Sequence, residues 1–331
     1  MSAPRVSVVI PAYKVTAYIG EALESVFAQS WRDFETIVVN DGCPDTEALE
    51  RVLEPYLPRL VYIKQENRGL SGARNTGIRA ARGEFIALLD GDDLWEPDFL
   101  RQQMAMFDAD PGLDMVWCDS VIFGSTPWAG RRFSEMAPSR RPVTLKRLLT
   151  GKCVPVASCV VVRRQAVLDA GGFDEDLRRV EDFDMWLRLA WRGSRMDCRT
   201  AALGRRRDRE GTLSSDARAQ FETAIQVCRK FQGLIGAGHP LNAVIEAQVR
   251  RIRAAGEIKA ARAHFDAGRL GEALEAYRRA NQCRWTPRGS LTVLLLTVSP
   301  SLAGGARALK RAVQNWLGRA RRRGWLRRGQ D

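Results

Sequence analysis

Short apolar runs alternate with amphipathic stretches over the first ninety residues. Val6–Pro11 (VSVVIP) is apolar on both faces, the pattern of a strand buried inside a parallel sheet. Thr16 stands where an N-cap would open a helix, and Ile19, Leu23, Val26 and Phe27 then recur at helical spacing. Phe34–Asn40 (FETIVVN) reads as a second strand ending at Asp41, Thr46–Tyr56 as a short helix, and Leu60–Lys64 as a third strand. A loop over Asn67–Leu70 leads into a helix over Ser71–Arg82, and Glu84–Asp90 (EFIALLD) is a fourth strand. Strand and helix in this alternation predict an α/β fold: a doubly wound, mostly parallel sheet with helices on both faces.

The pattern then loosens. Met115–Phe123 and Ala157–Arg163 predict strands, residues 124–143 a long irregular connection, and Gly171–Phe173 a turn. Asp182–Arg192 predicts a helix with Phe183, Trp186, Leu187 and Ala190 on one face. From about Asp216 the chain reads as helical and Arg-rich. Within that region Ala255–Ala280 has the pattern of one tetratricopeptide-type hairpin, which cannot bury its own face and must pack on its neighbours. The expected division is one domain over 1–214 and a basic α-helical region over 215–331.

Charge sharpens that division. The 331 residues include 52 Lys and Arg and 39 Asp and Glu, for a net +13. Residues 1–199 carry 26 basic and 29 acidic side chains, whereas residues 200–331 carry 26 and 10. A near-neutral front half suits a catalytic domain, and a basic tail suits a polyanion, most simply an anionic membrane surface or a nucleic acid. With 45% hydrophobic and 27% charged residues, collagenous, low-complexity and wholly disordered chains are excluded. Seven Cys without a C-x-x-C pair, and only two His (239 and 264), assemble no local zinc site. The start, MSAPRVSVVIP, has no apolar secretory core, so a reducing cytoplasmic setting is expected. The uncharged stretch Ser290–Ala306 is densely apolar only over Leu291–Val298, too short for the ~20 residues of a transmembrane helix. Residues 307–331 hold nine basic side chains and one acidic, interleaved with Leu309, Val313, Trp316, Leu317, Trp325 and Leu326. That is the composition of a membrane-surface helix, peripheral on the inner face of the membrane, and equally of a solvated basic helix packed through Trp316 and Leu317.

Candidate chemistry begins at the strand ends, where doubly wound sheets bind ligands. Neither G-x-G-x-x-G nor G-x-x-x-x-G-K-[ST] follows any strand, which removes the main support for a dinucleotide or P-loop site. The fourth strand closes instead on Asp90-Gly91-Asp92-Asp93. Three carboxylates in four residues repel one another unless they share a cation, and Mg²⁺ or Mn²⁺ prefers such oxygens together with substrate phosphates. A solvated Asp-Gly turn has the same residues.

Seven segments in register decide between them. VSVVIPAY (6–13), ETIVVNDGCPDT (35–46), NRGLSGARNTGI (67–78), ARGEFIALLDGDDLWEPDFL (81–100), AGGFDEDL (170–177), VEDFDMWLRLA (180–190) and REGTLS (209–214) together resemble the family 2 glycosyltransferases of GT-A fold, over about residues 5–214. The resemblance implies an inverting, metal-dependent transfer of sugar from a nucleotide diphosphate, favouring a uridine donor, to a saccharide or lipid-linked saccharide, in bacterial surface or exopolysaccharide synthesis. It implies that Pro11, Ala12 and Tyr13 line the base, that Asp41 accepts hydrogen bonds from base or ribose, and that Gly72, Ala73, Arg74 and Asn75 lie over the nucleotide-sugar with Arg74 near phosphate. Asp90 would touch ribose or sugar, Asp92 would ligate the metal, Mn²⁺ or Mg²⁺, and Asp93 would support or replace it. Asp182 matches the catalytic base, with Glu181 beside it either raising its pKa or capping the helix. Arg205 and Arg207 are the pyrophosphate candidates, and Gly172, Phe173 and Asp174, with Trp128, the acceptor candidates. Asn40-Asp41-Gly42-Cys43 departs from the more frequent Asp-Asp-Gly-Ser but keeps Asp41. The competing readings are a polyanion-binding protein driven by the tail and a nucleotidyltransferase on a similar sheet. The first leaves residues 1–199 without a role and shows no nucleic-acid reader motif, so no nucleic acid is expected. The second has no use for the Glu181-Asp182 and Gly171–Asp174 segments.

Overall fold

In the computed structural model, residues 3–209 and 216–298 are described. The strands are β1 (Val6–Ala12), β2 (Phe34–Asp41), β3 (Val61–Gln65), β4 (Phe85–Leu88), β5 (Leu94–Trp95), β6 (Met115–Gly124), β7 (Val160–Arg163) and β8 (Met196–Asp208). The helices are α1 (Ile19–Phe27), α2 (Thr46–Leu53), α3 (Gly69–Ala80), α4 (Phe99–Ala109), α5 (Leu145–Leu149), α6 (Arg164–Asp169), α7 (Glu181–Trp191), α8 (Ala217–Ile235), α9 (Leu241–Ala267), α10 (Leu270–Cys283) and α11 (Pro287–Val298).

One sheet holds all eight strands in the order β3-β2-β1-β4-β7-β6-β8-β5. β1 pairs in parallel with β2 on one side and with β4 on the other, so the strand order reverses between β1 and β4. β2 with β3 and β6 with β8 are parallel, whereas β7 runs antiparallel to β4 and β6, and β5 antiparallel to β8. The doubly wound, mostly parallel sheet expected from the sequence is therefore present. Its continuous apolar strands are buried on both faces, as helices on either side require. Val8, Ile10 and Leu89 meet α1 and α4 through Leu23, Phe99 and Met104. On the opposite face α3 approaches β1 closely, because a Cβ on Gly77 would lie 2.4 Å from Val9 Cγ1.

Several boundaries differ from expectation for identifiable reasons. α1 begins after Tyr18 with no side-chain cap, so Thr16 does not cap it. The second helix turns into a 3₁₀ segment over Glu54–Arg59, where Pro58 removes a backbone donor. β4 stops at Leu88: Leu89 N–H still donates to Val9 O at 3.2 Å, but Asp90 N–H turns to Ser158 Oγ at 3.2 Å. Residues 157–159 form a 3₁₀ turn, leaving the strand only Val160–Arg163. The 124–143 connection contains a 3₁₀ turn at Phe133–Glu135 and a bridge from Val121 to Arg132. The sequence pattern missed α4, α5, α6, β5 and β8. β8 is thirteen residues long, but MDCRTAALGRRRD has too few apolar positions to read as a strand.

The chain divides into two compact units, 1–245 and 246–331. The first includes α8, which packs on α7 through an edge-on contact of Trp191 and Phe231 at 6.0 Å. In the second, α10 buries Ala273, Ala276 and Ala280, and Arg279 pairs with Glu257 of α9 at 2.9 Å. The basic tail 307–331 and the 210–214 end of the last matching segment lie outside the described residues.

Candidate active site

The strand-order reversal puts the ends of β1 and β4 side by side, and the acidic turn sits there. Pro11 and Ala12 are buried, while Tyr13 is 41% exposed with the Lys14 ammonium 5.2 Å from its ring centre. Asp41, at the end of β2, is buried. Its Oδ1 accepts from the Gln65 amide at 2.7 Å and from Arg68 N–H at 2.8 Å, and its carbonyl accepts from Asn67 at 2.9 Å. It thus fixes the loop that leads into α3. Gly72 allows the next close approach, since a Cβ there would meet Arg68 Cβ at 2.4 Å.

Arg74, expected to meet phosphate, is instead 1% exposed and engaged with two acids. Its Nη2 donates to Asp90 Oδ1 at 2.7 Å and its Nη1 to Glu181 Oε1 at 2.5 Å. Burial works against this guanidinium's charge, but Asp90 and Glu181 more than offset it and raise its pKa. A buried ion pair tolerates desolvation only with such geometry. Asn75, one residue on, clamps the acceptor-candidate loop: its Nδ2 donates to Phe173 O at 2.8 Å and its Oδ1 accepts from Phe173 N–H at 2.7 Å. Gly172 takes a φ of +73° there, open to glycine, and a Cβ would lie 2.8 Å from Asn75 Oδ1. Phe173 itself is buried against Trp186, and Asp174 is held by Lys230 of α8 at 2.7 Å.

The three aspartates of the turn are graded inward. Asp90 faces Arg74, Asp92 is 15% exposed at its side chain, and Asp93 is buried with Oδ1 accepting from Arg207 N–H at 2.7 Å. Burial, then the charge of Asp90, raises the pKa of Asp92. Burial together with Asp90 and Asp92 pushes Asp93 up to about 7. From β8, Arg207 reaches Asp92 O at 2.8 Å and Glu21 at 2.9 Å, between the rings of Tyr18 and Phe123. Arg209 donates to Asp92 Oδ2 at 2.9 Å. Arg205 is exposed over Phe123 and does not join them. Arg209 carried no assignment in the sequence. Arg209 lies just past the end of β8, and β8 itself went unread, so no local pattern pointed to it.

α7 starts from Val180 at φ 59°, a left-handed conformation that costs a β-branched residue of order 1–3 kcal/mol. Such outliers cluster at functional sites, and this one launches Glu181 and Asp182. Glu181 is buried on Arg74, and Asp182 Oδ1 accepts from Phe183 N–H at 2.7 Å. Burial first, then the like charge of Glu181, pushes Asp182 up to about 7, against the pull of Arg74. Trp128 is exposed in its connection, with the Arg131 guanidinium 5.5 Å from its ring, and no described contact ties it to these residues. Among the described residues no group of three or more His, Cys, Asp or Glu is arranged to hold a metal ion.

Solved structures share this architecture. S. aureus TarS 1-349 in complex with UDP-GlcNAc superposes with a TM-score of 0.59 at 20% identity, covering 94% of this chain and 92% of that one. The mannosyltransferase PcManGT from Pyrobaculum calidifontis, in complex with GDP-Man and Mn²⁺, gives 0.62 at 20% identity, covering 96% and 84%. The fold is GT-A-like. Residues 7–170 match the profile Glycosyl transferase family 2, and residues 132–233 the profile Glycosyltransferase like family 2. The chain belongs to glycosyltransferase family 2. Among curated relatives, a Rickettsia felis glycosyltransferase is 28% identical over 196 residues, 56% of this chain and 31% of that protein. A Bacillus subtilis protein named as a glycosyltransferase, EpsH, is 42% identical over 122 residues, 36% of this chain and 34% of its own. The chain thus matches about a third of the length of each.

Proposed function

We propose that the domain over 1–214 transfers a sugar from a nucleotide diphosphate donor, preferentially a uridine one, to a hydroxyl of a saccharide or lipid-linked saccharide. The transfer inverts the anomeric centre and serves bacterial cell-surface or exopolysaccharide synthesis. One observation carries the reading: the buried guanidinium of Arg74 bonds Asp90 at the end of the fourth strand and Glu181 at the start of α7. A donor-side carboxylate and the carboxylate next to the proposed base are thereby brought within reach of one side chain. Nucleotide sugars bound in two fold neighbours support the donor class.

On this reading Pro11, Ala12 and Tyr13 receive the base, and Asp41 and Asp90 the base, ribose or sugar. Asp182, its Oδ1 fixed by Phe183 N–H, takes the acceptor proton as the acceptor oxygen attacks opposite the leaving diphosphate. A positioned base of this kind contributes ~10²–10⁴-fold. A single displacement inverts the configuration. Asp92, backed by Asp93, fits a hard divalent cation, Mn²⁺ or Mg²⁺: Asp90 adds to burial in raising its pKa, a repulsion that a bound cation relieves. When bound, the ion would offset the charge gathering on the diphosphate. Arg207 bonds the Asp92 carbonyl and Arg209 its carboxylate, and both supply further positive charge there. The loop Gly172–Asp174 forms the acceptor side, with Trp128 as an outlying contact.

A nucleotide-release assay over UDP-, dTDP- and GDP-sugars, with Mn²⁺, Mg²⁺ or chelator, tests this. Wild type should release nucleotide only with metal, Asp92→Ala should be inactive, and Asp182→Asn should bind donor yet lose about 10²-fold or more in rate. Release unaffected by chelator would remove the metal role, and full activity of Asp182→Asn would remove the base.

A further inference from the structure

The net charge of this chain resides in one unit. Residues 246–331 carry 19 Lys and Arg against six Asp and Glu, while residues 1–245 carry 33 of each. In the same unit an apolar stripe is uncovered. α11 presents Leu291, Leu294 and Leu295 at 55%, 57% and 55% exposure, whereas Leu296 is buried at 6%. Positions i, i+3 and i+4 share one helix face, so the exposed leucines form a stripe and Leu296 seats the helix. Trp285, in the turn before α11, is 68% exposed. The helix start is tied down: Asn281 Oδ1 accepts from Thr286 N–H at 3.1 Å, Asn281 Nδ2 donates to Ser290 Oγ at 3.0 Å, and Thr286 Oγ1 accepts from Gly289 N–H at 3.0 Å.

We propose that α11, on a stretch of chain whose sequence is strongly basic, is a peripheral docking surface for an anionic lipid bilayer. An apolar stripe on a strongly cationic unit matches the boundary where acyl chains meet anionic headgroups. A second protein copy would gain nothing from the charge, and a nucleic acid nothing from the leucines. The chain continues for 33 residues past α11, with nine Lys or Arg and one acid over 307–331. The densely apolar run is Leu291–Val298, and Pro300 and Gly304-Gly305 follow it in the sequence, too short a run for the ~20 residues of a crossing helix. None of the described helices is long and apolar enough to cross. The proposal does not rest on the transfer chemistry.

Sedimentation of the full chain with vesicles tests it, using phosphatidylcholine alone and phosphatidylcholine mixed with phosphatidylglycerol. Wild type should pellet with the mixed vesicles, not with the neutral ones, and should be released in about 0.5 M salt. The variant Leu291→Ser/Leu294→Ser/Leu295→Ser should bind the mixed vesicles about tenfold more weakly or worse. It should keep its helical circular dichroism and donor hydrolysis, because these side chains are solvent-exposed. Arg321→Gln/Arg322→Gln/Arg323→Gln should weaken binding and flatten the salt dependence. Equal binding of the leucine variant, equal binding to neutral vesicles, or no vesicle binding at all would overturn the proposal. So would a wild-type dimer that the leucine variant converts to monomer without any vesicle binding, or binding to nucleic acid alone.

Discussion

Arg74 is one side chain serving two acids, and its neighbour Asp182 reports on it. Truncating one partner of a buried ion pair typically costs about 3–5 kcal/mol. Lys keeps the charge but cannot fork between Asp90 and Glu181 as a planar guanidinium does. Asp182 must be ionised to accept a proton, so the rate should rise with pH through about 7 and level off above it. Arg74 opposes the upward shift and Glu181 adds to it. Arg74→Gln should therefore move this limb to higher pH, Glu181→Gln should move it lower, and Arg74→Lys should fall between Arg74→Gln and wild type. Profiles of kcat against pH for the three variants check this, and a limb that stays fixed in all three would assign the titration to another group. The sequence placed Arg74 near phosphate because a cation in a donor loop has that obvious partner. Its two acids come from the turn after β4 and the start of α7, and no local pattern links them.

At the scale of elements, α3 contributes to both halves of the candidate site because its glycines let it sit close. Gly77 admits Val9 of β1, and the seat fixes where Arg74 and Asn75 point. Asn75 then holds the Gly172–Phe173 turn, where Gly172 takes a left-handed φ and a Cβ would meet Asn75 Oδ1 at 2.8 Å. Gly172→Ala should push this loop off Asn75, raising KM for the acceptor while donor-only hydrolysis changes little. Initial rates with acceptor varied at fixed donor measure the split, and an equal loss in both would place the loop on the donor side. Elements with a clean period, such as β1, β2 and α3, were legible to within a few residues. β8 was not, because its Arg-rich register becomes a strand only through pairing with β6 and β5.

For the whole molecule, the reversal of strand order between β1 and β4 locates the candidate site, and the net charge belongs to a different part of the sequence. Residues 1–245 hold 33 acidic and 33 basic side chains, and residues 246–331 carry the entire net charge. Deleting residues 299–331 should leave donor hydrolysis in free solution unchanged while reducing attachment to anionic vesicles. Turnover of a soluble donor by the shortened chain reads this directly, and a loss of hydrolysis would tie the tail to catalysis instead.

The sequence by itself determined the strand–helix alternation, the family, the acidic turn 90–93, the Glu181-Asp182 pair and the charge asymmetry. These are properties of neighbouring residues, set by periodicity, strand ends and composition. Only the tertiary structure decided that Arg74 bridges Asp90 and Glu181 and that Arg209, not Arg205, reaches Asp92. Tertiary packing alone also buries Asp93 and leaves Leu291, Leu294 and Leu295 bare. Each of these depends on burial and on contacts between distant segments, and desolvation and pairing exist only once the chain has folded.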